Sequence, residues 1–357
     1  MKLTLRLPVD LLAPESANFH ASIARAAEIL RAGGTVAFPT ETVYGLGANA
    51  LDAAAVAGIF EAKQRPAWDP LIVHVSSLEM LRQVAEELCE NAQRLAEVFW
   101  PGPLTMLLPR SANVPDAVTA GRPLVGVRMP SHPIAQALIE AAGVPVAAPS
   151  ANSFGRISPT MAQHVAEDLE GRIDAILDGG ETIHGLESTV IEPRADCSII
   201  YRPGVVTAQQ VRAVCTGSVE YYEPANESRA PESLPSPGVA LRHYAPRARL
   251  QLVEGAGEAQ KTALRETVLD AERAGERVGV MLPESFQTAL IGCAAQVYRW
   301  GRWEDKEELA QRLFAGLRQL DAEGLTMIVC PLPEAKGIGR AICDRLGKAA
   351  RTHQAAH

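Results

Sequence analysis

The chain of 357 residues is 47% apolar and 21% charged, with a formal net charge of −8, the make-up of a soluble globular protein rather than a disordered or membrane one. Its length predicts two domains, each able to bury a core. An acidic chain is a poor general binder of polyanions, so any contact with nucleic acid has to use a local groove.

The acidity is uneven: residues 1–215 hold 16 Lys and Arg against 23 Asp and Glu, whereas residues 246–357 hold 16 against 15. No apolar run approaches the about 18 residues of a membrane span. The N-terminus carries Pro8 and Asp10 where a signal peptide would have its apolar block, which predicts a cytoplasmic protein with no membrane contact. Six cysteines (Cys89, Cys197, Cys215, Cys293, Cys330, Cys343) form no C-x-x-C pair. They read as reduced and mostly buried thiols, not as a zinc ribbon or a disulfide framework.

Taken in order, residues 17–32 repeat apolar positions at helical spacing up to Gly33-Gly34. An apolar run, Val36-Ala37-Phe38, stops at Pro39 and opens into the polar, Gly-flanked stretch Thr40–Gly47. A helix from about Asp52 to Glu61 then delivers Lys63 and Arg65, and a second strand-like run, Leu71–Val75, follows. Strand, polar loop, helix, cation pair and strand is a way to build an anion site, with hydroxyls and backbone meeting phosphate oxygens and two cations neutralising them.

Helical segments are predicted near 77–99, strands at Leu104–Leu108 and Leu124–Arg128, and a helix at Pro133–Ala142. Val144–Ala148 leads to Pro149-Ser150-Ala151-Asn152, and Pro159-Thr160 starts another helix. Strand-like runs at Ala175–Leu177, Gly185–Ile191 and Ser198–Tyr201 complete this half. Thr42, Arg65, His74, Arg128, Ser150, Ser188 and Arg202 all stand at the ends of apolar runs, where a fold would gather them at one mouth.

Residues 216–246 carry five prolines and no periodicity, the mark of a linker. The end of this stretch, Arg242-His243-Tyr244, offers two donors and an aromatic face. From Arg249 onward strands and helices alternate, which predicts a small parallel α/β sheet.

Familiar nucleotide motifs fail here. After Gly180-x-x-x-x-Gly185 come Leu186-Glu187 rather than Lys-Ser/Thr, no G-x-G-x-x-G follows a strand, and H-E-x-x-H and G-x-S-x-G are absent. Gly337-Ile338-Gly339 is turn chemistry at a helix start.

Eight ordered segments do match a known pattern: PTETVYGLG (39–47), K-x-R-P (63–66), PLIVHV (70–75), WPGPLT (100–105), VRMP (127–130), PSAN (149–152), STV (188–190) and YRPG (201–204). Together they resemble the YrdC-type threonylcarbamoyl-AMP synthases, and SPG…RHYAP (236–246) together with the α/β region after it resembles the longer, two-domain form. The resemblance implies an α/β fold: a twisted mixed-sheet catalytic domain with a concave basic face over 13–210, a linker and active-site lid over 211–246, and a smaller Rossmann-like parallel domain over 247–357.

It implies the reaction of L-threonine, bicarbonate or CO2 and ATP to threonylcarbamoyl-AMP and pyrophosphate. The product would pass to a tRNA threonylcarbamoyl-transferase complex, with tRNA contact possible. Thr42, His74, Arg128, Ala148 and Ser188 would form the threonine pocket. Lys63, Arg65, Ser150 and Asn152 would be the catalytic group at the nucleotide phosphates, with Asp69, Ser158, Arg202 and the lid residue Tyr244 as further ATP contacts. Mg²⁺ is expected with the triphosphate, with no metal ligands from the protein.

This chain departs from the family in having Asp69 where Asn is usual and Gln64 where Gly is frequent. Two other classes compete: an RNA-binding module without catalysis, and a carbamoyl-transfer module of the hydrogenase-maturation type, which lacks its acylphosphatase-like and zinc-finger neighbours here.

Overall fold

A computed structural model describes residues 2–14, 16–223, 234–236, 238 and 244–351. They divide into two compact units. The first holds the described residues of Met1–Phe154, Ser158–Ile183 and Glu187–Ala240, the second those of Gly155–Ile157, His184–Leu186 and Leu241–His357. Arg242 and His243 lie outside the described residues. No helix among those described is long and apolar enough to cross a membrane.

The first unit opens with β1 (Leu5–Pro8) and α1 (Ala17–Arg31). Ser16 caps α1 by accepting from the Phe19 N–H, and Phe19, Ile23, Ala26, Ala27 and Leu30 form its buried stripe. Then come β2 (Val36–Phe38), β3 (Gly45–Asn49), α2 (Ala53–Lys63), β4 (Ile72–His74), α3 (Leu78–Val84), α4 (Glu90–Phe99) and β5 (Leu104–Pro109). They are followed by α5 (Asp116–Thr119), β6 (Leu124–Arg128), α6 (Pro133–Ala142), β7 (Val146–Ala147), α7 (Ala162–Leu169) and β8 (Ala175–Asp178). The unit closes with β9 (Thr189–Glu192), β10 (Cys197–Arg202), α8 (Ala208–Arg212) and β11 (Ser218–Tyr221).

Among the described residues these strands form one eleven-stranded sheet in the order β1-β8-β2-β3-β7-β4-β6-β5-β9-β10-β11. Pairing is mixed: β4 runs parallel to β6 and β5 to β9, while β7 is antiparallel to β4 and β5 to β6. Helix residues such as Val56, Ile59, Leu95, Leu138 and Ile139 pack onto the sheet in a single apolar core.

The second unit alternates β12 (Arg249–Val253), α9 (Gly257–Arg273), β13 (Val278–Pro283), β14 (Gln296–Gly301), α10 (Lys306–Ala322), β15 (Met327–Pro331) and α11 (Ile338–Ala350). Its four strands are all parallel, in the order β12-β15-β13-β14, so the α/β expectation for this region holds.

Several elements differ from the sequence expectation. β3 begins Gly45-Leu46-Gly47, a poor strand by propensity. Packing demands the glycine: a Cβ at Gly47 would lie 2.7 Å from both Phe38 and Val146 on the flanking strands. The stretch read as linker from 211 starts inside the first unit, because the end of α8 and β11 belong to it and β11 pairs with β10.

The thiols are less buried than the composition suggests. All six are free, but only Cys330 is buried, and Cys89 is exposed. Cys89 sits at the cap position of α4 and Cys197 opens β10, places at element ends where a core-facing side is not imposed.

Gln64 ends α2 in the left-handed conformation, with φ 54° and ψ 40°. That position favours glycine, which explains why a glycine can stand there. Gln64→Gly is expected to stabilise the first unit by about 0.5–1 kcal/mol, read as a rise in the urea midpoint at unchanged slope; a fall in the midpoint would contradict it.

Candidate active site

Two buried polar groups lie in the first unit, joined by the short strands β4 and β7. The first runs along neighbouring strands of the sheet. His74 and Arg128 are register partners on β4 and β6. Thr105 on β5 shares a hydrogen bond with Ser188 at 2.8 Å, just before β9. Arg202, at the end of β10, donates to the Ser188 carbonyl and hydroxyl, each at 3.1 Å.

Arg128 is the hub of this group. Its Nε donates to the Gly102 carbonyl at 3.2 Å, its Nη1 donates to the Thr42 hydroxyl at 2.8 Å, and its Nη2 lies 2.6 Å from Glu41 Oε1. Thr42 is held in turn by Thr40, whose hydroxyl lies 2.8 Å from its own. Both charged side chains are enclosed, with 5% of Arg128 and 1% of Glu41 exposed.

Burial would raise the Glu41 carboxyl, but the Arg128 charge and neighbouring N–H groups outweigh it and hold the group down at about 2. His74 is pushed down by burial and by the Arg128 charge to about 3, so its ring is neutral. That ring stands edge-on to Phe38 with centroids 6.2 Å apart, and its Nδ1 has no hydrogen-bond partner among the described residues. His132 is lowered likewise, chiefly by burial. It caps α6, where its Nδ1 accepts from the Ile134 N–H at 3.3 Å.

The second group gathers where α2 ends. Lys63 Nζ donates to the Ser150 carbonyl at 2.6 Å and to the Asn152 carbonyl. Arg65 Nη2 pairs with Asp69 at 2.9 Å, and the guanidinium also donates to the carbonyls of Asp69 at 3.1 Å and Pro70 at 2.8 Å. The same guanidinium lies 5.9 Å from the centre of the Phe154 ring. Ser158 donates to Glu187 at 2.6 Å, next in sequence to Ser188 of the first group.

The strands connect the two groups. The Ala148 N–H donates to Ile72, and Ser150 is bridged to Gly45 at the end of the Thr40–Tyr44 loop. From Pro70 to His74 the chain rises on the order of 13 Å, which sets the spacing of the two groups along the chain through β4.

Of the residues singled out in the sequence, the structure brings together Thr42, His74 and Arg128, then Ser188 with Arg202, and Lys63 with Ser150 and Asn152. Arg202, expected at ATP, is hydrogen-bonded to Ser188 of the amino-acid group. Asp69, expected as an ATP contact, is the buried counter-ion of Arg65. Tyr244 belongs to the second unit, buried there with its ring stacked 5.5 Å from that of Phe314 and the Arg345 guanidinium 5.3 Å from its centre. Sequence reasoning missed Glu41, Thr105 and Glu187. Each is a single polar residue inside or beside a motif, and only the fold reveals its partner.

One group thus holds a guanidinium, hydroxyls and a neutral imidazole, and the other a lysine and an arginine bonded to carbonyls of neighbouring turns. A family model described as "Telomere recombination", covering the Sua5, YciO and YrdC proteins, matches residues 28–204, and one described as "Threonylcarbamoyl-AMP synthase, C-terminal domain" matches residues 206–351. The chain is 45% identical to the threonylcarbamoyl-AMP synthase of Pyrococcus abyssi over 91% of its length and 92% of that protein's. Identity to the Bacillus subtilis threonylcarbamoyl-AMP synthase is 42%, over 97% of this chain and 98% of the relative. The crystal structure of P. abyssi Sua5 complexed with L-threonine superposes with a TM-score of 0.88 at 42% identity, covering 98% of each chain. The chain therefore belongs to the Sua5/YrdC family of threonylcarbamoyl-AMP synthases, in its two-domain Sua5 form.

Gly204 holds Ser188 in place. An added Cβ there would lie 2.4 Å from the Thr189 nitrogen and 2.6 Å from the Glu187 oxygen. Gly204→Ala is expected to destabilise the first unit by about 1–3 kcal/mol, read as a fall in the urea midpoint; an unchanged midpoint would contradict the contact.

His74 and Glu41, together with His132 and Asp174, whose values are lowered as well, also shape the acid response. A group whose value falls on folding contributes its stability above the unfolded value and loses it as pH drops, between about 6.5 and 3 for His74 and about 4.5 and 2 for Glu41. Urea midpoints are thus expected to decline from about pH 6.5 downward. His74→Asn should make the decline between about 6.5 and 4.5 shallower, with His132 keeping a share of it, and leave the lower limb.

Proposed function

We propose that this protein uses the first group to seat L-threonine and the second to seat the triphosphate of ATP, making threonylcarbamoyl-AMP and pyrophosphate from threonine, bicarbonate and ATP. The observation that carries this reading is the Arg128 hub. A guanidinium already oriented by Gly102 and Thr42 stands within a strand's length of the Lys63–Ser150–Asn152 cluster.

Arg128 takes the threonine carboxylate, because its donor fork matches two oxygens. Thr42, His74 and Ser188 surround the side chain, whose hydroxyl would distinguish threonine from valine by leaving no buried polar group unpaired. Ala148, on the joining strand, supplies wall and backbone. Once the amine has taken up carbon dioxide, a carbamate oxygen attacks the α-phosphorus and pyrophosphate departs.

Such a displacement depends on alignment and neutralised charge, and no covalent protein nucleophile is required. Lys63 and Arg65 supply positive charge, Ser150, Asn152 and Ser158 supply hydrogen bonds, and Arg202 fixes Ser188. Mg²⁺ accompanying the triphosphate would be held chiefly by phosphate oxygens and water and would screen their charge. The carbamoyl product would serve a transferase acting on tRNA. ATP and tRNA as substrate and final acceptor favour a cytoplasmic setting.

The decisive measurement is product analysis by mass with each substrate omitted in turn. Pyrophosphate and the adenylate are expected only when threonine, bicarbonate and ATP are all present. An RNA-binding module would release none.

The Arg65–Asp69 pair changes the best mutational test. Arg65→Ala would strand a buried carboxylate, a loss of about 3–5 kcal/mol, so lost activity there could be lost fold. Asp69→Asn instead removes the negative charge beside Arg65 and is expected to lower the KM for ATP about 3- to 10-fold, with threonine KM unchanged. A raised KM would mean that the carboxylate itself serves the nucleotide.

A further inference from the structure

Glu41 has no part in the reaction as written, yet it is 1% exposed and ionised, and it sits against the one guanidinium assigned to the substrate carboxylate. We propose that the Glu41–Arg128 ion pair is opened by the incoming substrate, whose carboxylate takes Arg128 while its ammonium takes Glu41. Glu41 is then a specificity-determining residue that selects an α-amino-acid zwitterion. This inference rests on the reading that the pocket holds L-threonine.

Charge balance carries the first part of the argument. Glu41 and Arg128 sum to zero, and the two histidines facing them, His74 and His132, are both held toward the neutral form. A carboxylate arriving without a cation would leave two buried anions sharing one guanidinium, an arrangement that costs several kcal/mol in a dry site. A zwitterion replaces one buried pair by two and leaves the sum unchanged.

Geometry carries the second part. Arg128 Nε and Nη1 are fixed by Gly102 and Thr42 whatever happens at Nη2. The Nη2 contact with Glu41, at 2.6 Å, is the one of the three that a substrate carboxylate can take over. The Glu41 carboxylate receives no side-chain hydrogen bond from any other described residue, so little besides charge and nearby backbone N–H groups holds it. His74 lies close enough to the same pair to feel both of its charges, and its Nδ1 makes no aligned hydrogen bond among the described residues.

Calorimetric titration of the full chain with three probes tests this: L-threonine, the matching 2,3-dihydroxybutyrate that lacks the amine, and L-threoninol that lacks the carboxylate. Wild type is expected to bind threonine at least about 10-fold more tightly than either analogue. Glu41→Gln is expected to lose about 10-fold or more for threonine and to bind dihydroxybutyrate as well as wild type or better, because Arg128 is left wanting an anion. Glu41→Asp, which keeps the charge and guards against a variant that cannot fold, is expected to retain the preference for the amine.

Tighter threonine binding by Glu41→Gln would overturn the proposal, since Glu41 would then be a mere competitor. Equal weakening of threonine and dihydroxybutyrate would overturn it too, leaving Glu41 only to position Arg128. Wild type that binds none of the three probes would remove the pocket assignment itself, and this inference with it.

Discussion

The enclosed charge of Arg128 is the constraint around which the first unit is arranged. A guanidinium out of water must have every face answered, and the three answers come from distant parts of the chain. Gly102 lies in the loop before β5, Glu41 and Thr42 in the loop after β2, and Arg128 itself ends β6. One buried cation thereby fixes the relative position of three loops that carry the polar residues of the site. Arg65 does the same at the other group, answered by Asp69 and by two carbonyls of the turn leading into β4.

The sheet makes this arrangement possible because its central strands are short. β4 has three residues and β7 two, so both ends of each strand lie close to loops. Mixed pairing sends the end of β7 toward the start of β4, which is how Ser150 comes near the end of α2 while His74 stays beside Arg128. Parallel strands alone would have put all the loops that follow them at one end. The apolar faces of α1, α2, α4 and α6 supply the stability that the buried polar groups do not.

Much of this was legible in the chain. Helices with continuous apolar stripes and caps, such as α1 and α6, follow from spacing alone, and so do strands of unbroken aliphatics such as β5, β6, β13 and β15. β3 was hidden, because Gly45 and Gly47 are chosen for close packing against Phe38 and Val146 and lower the local strand signal. β11 and β14 were hidden as well; they run along the edges of their sheets, and half-exposed edge strands carry little pattern. At the site, motif order pointed to the cations and hydroxyls but not to their counter-ions. Glu41 reads in sequence as one polar residue between two threonines, and Asp69 as an ATP contact that stands where Asn is usual. Pairing is a property of three-dimensional proximity, and spacing along a chain encodes it only within a helix or hairpin.

Both ligand groups share one electrostatic design, a buried cation already matched by a carboxylate of the same chain. A chain of net charge −8 gains nothing from long-range attraction of anions, so selectivity has to arise from local balance. With each guanidinium neutralised in advance, a bare anion meets one cation and one anion together and gains little. A ligand that arrives with its own positive charge meets both partners at once. The zwitterion of an amino acid has this property. On this view Glu41 acts as a filter at Arg128: it weakens simple anions and leaves the ligand that carries its own cation as the one that can displace the internal pair without leaving a charge unanswered.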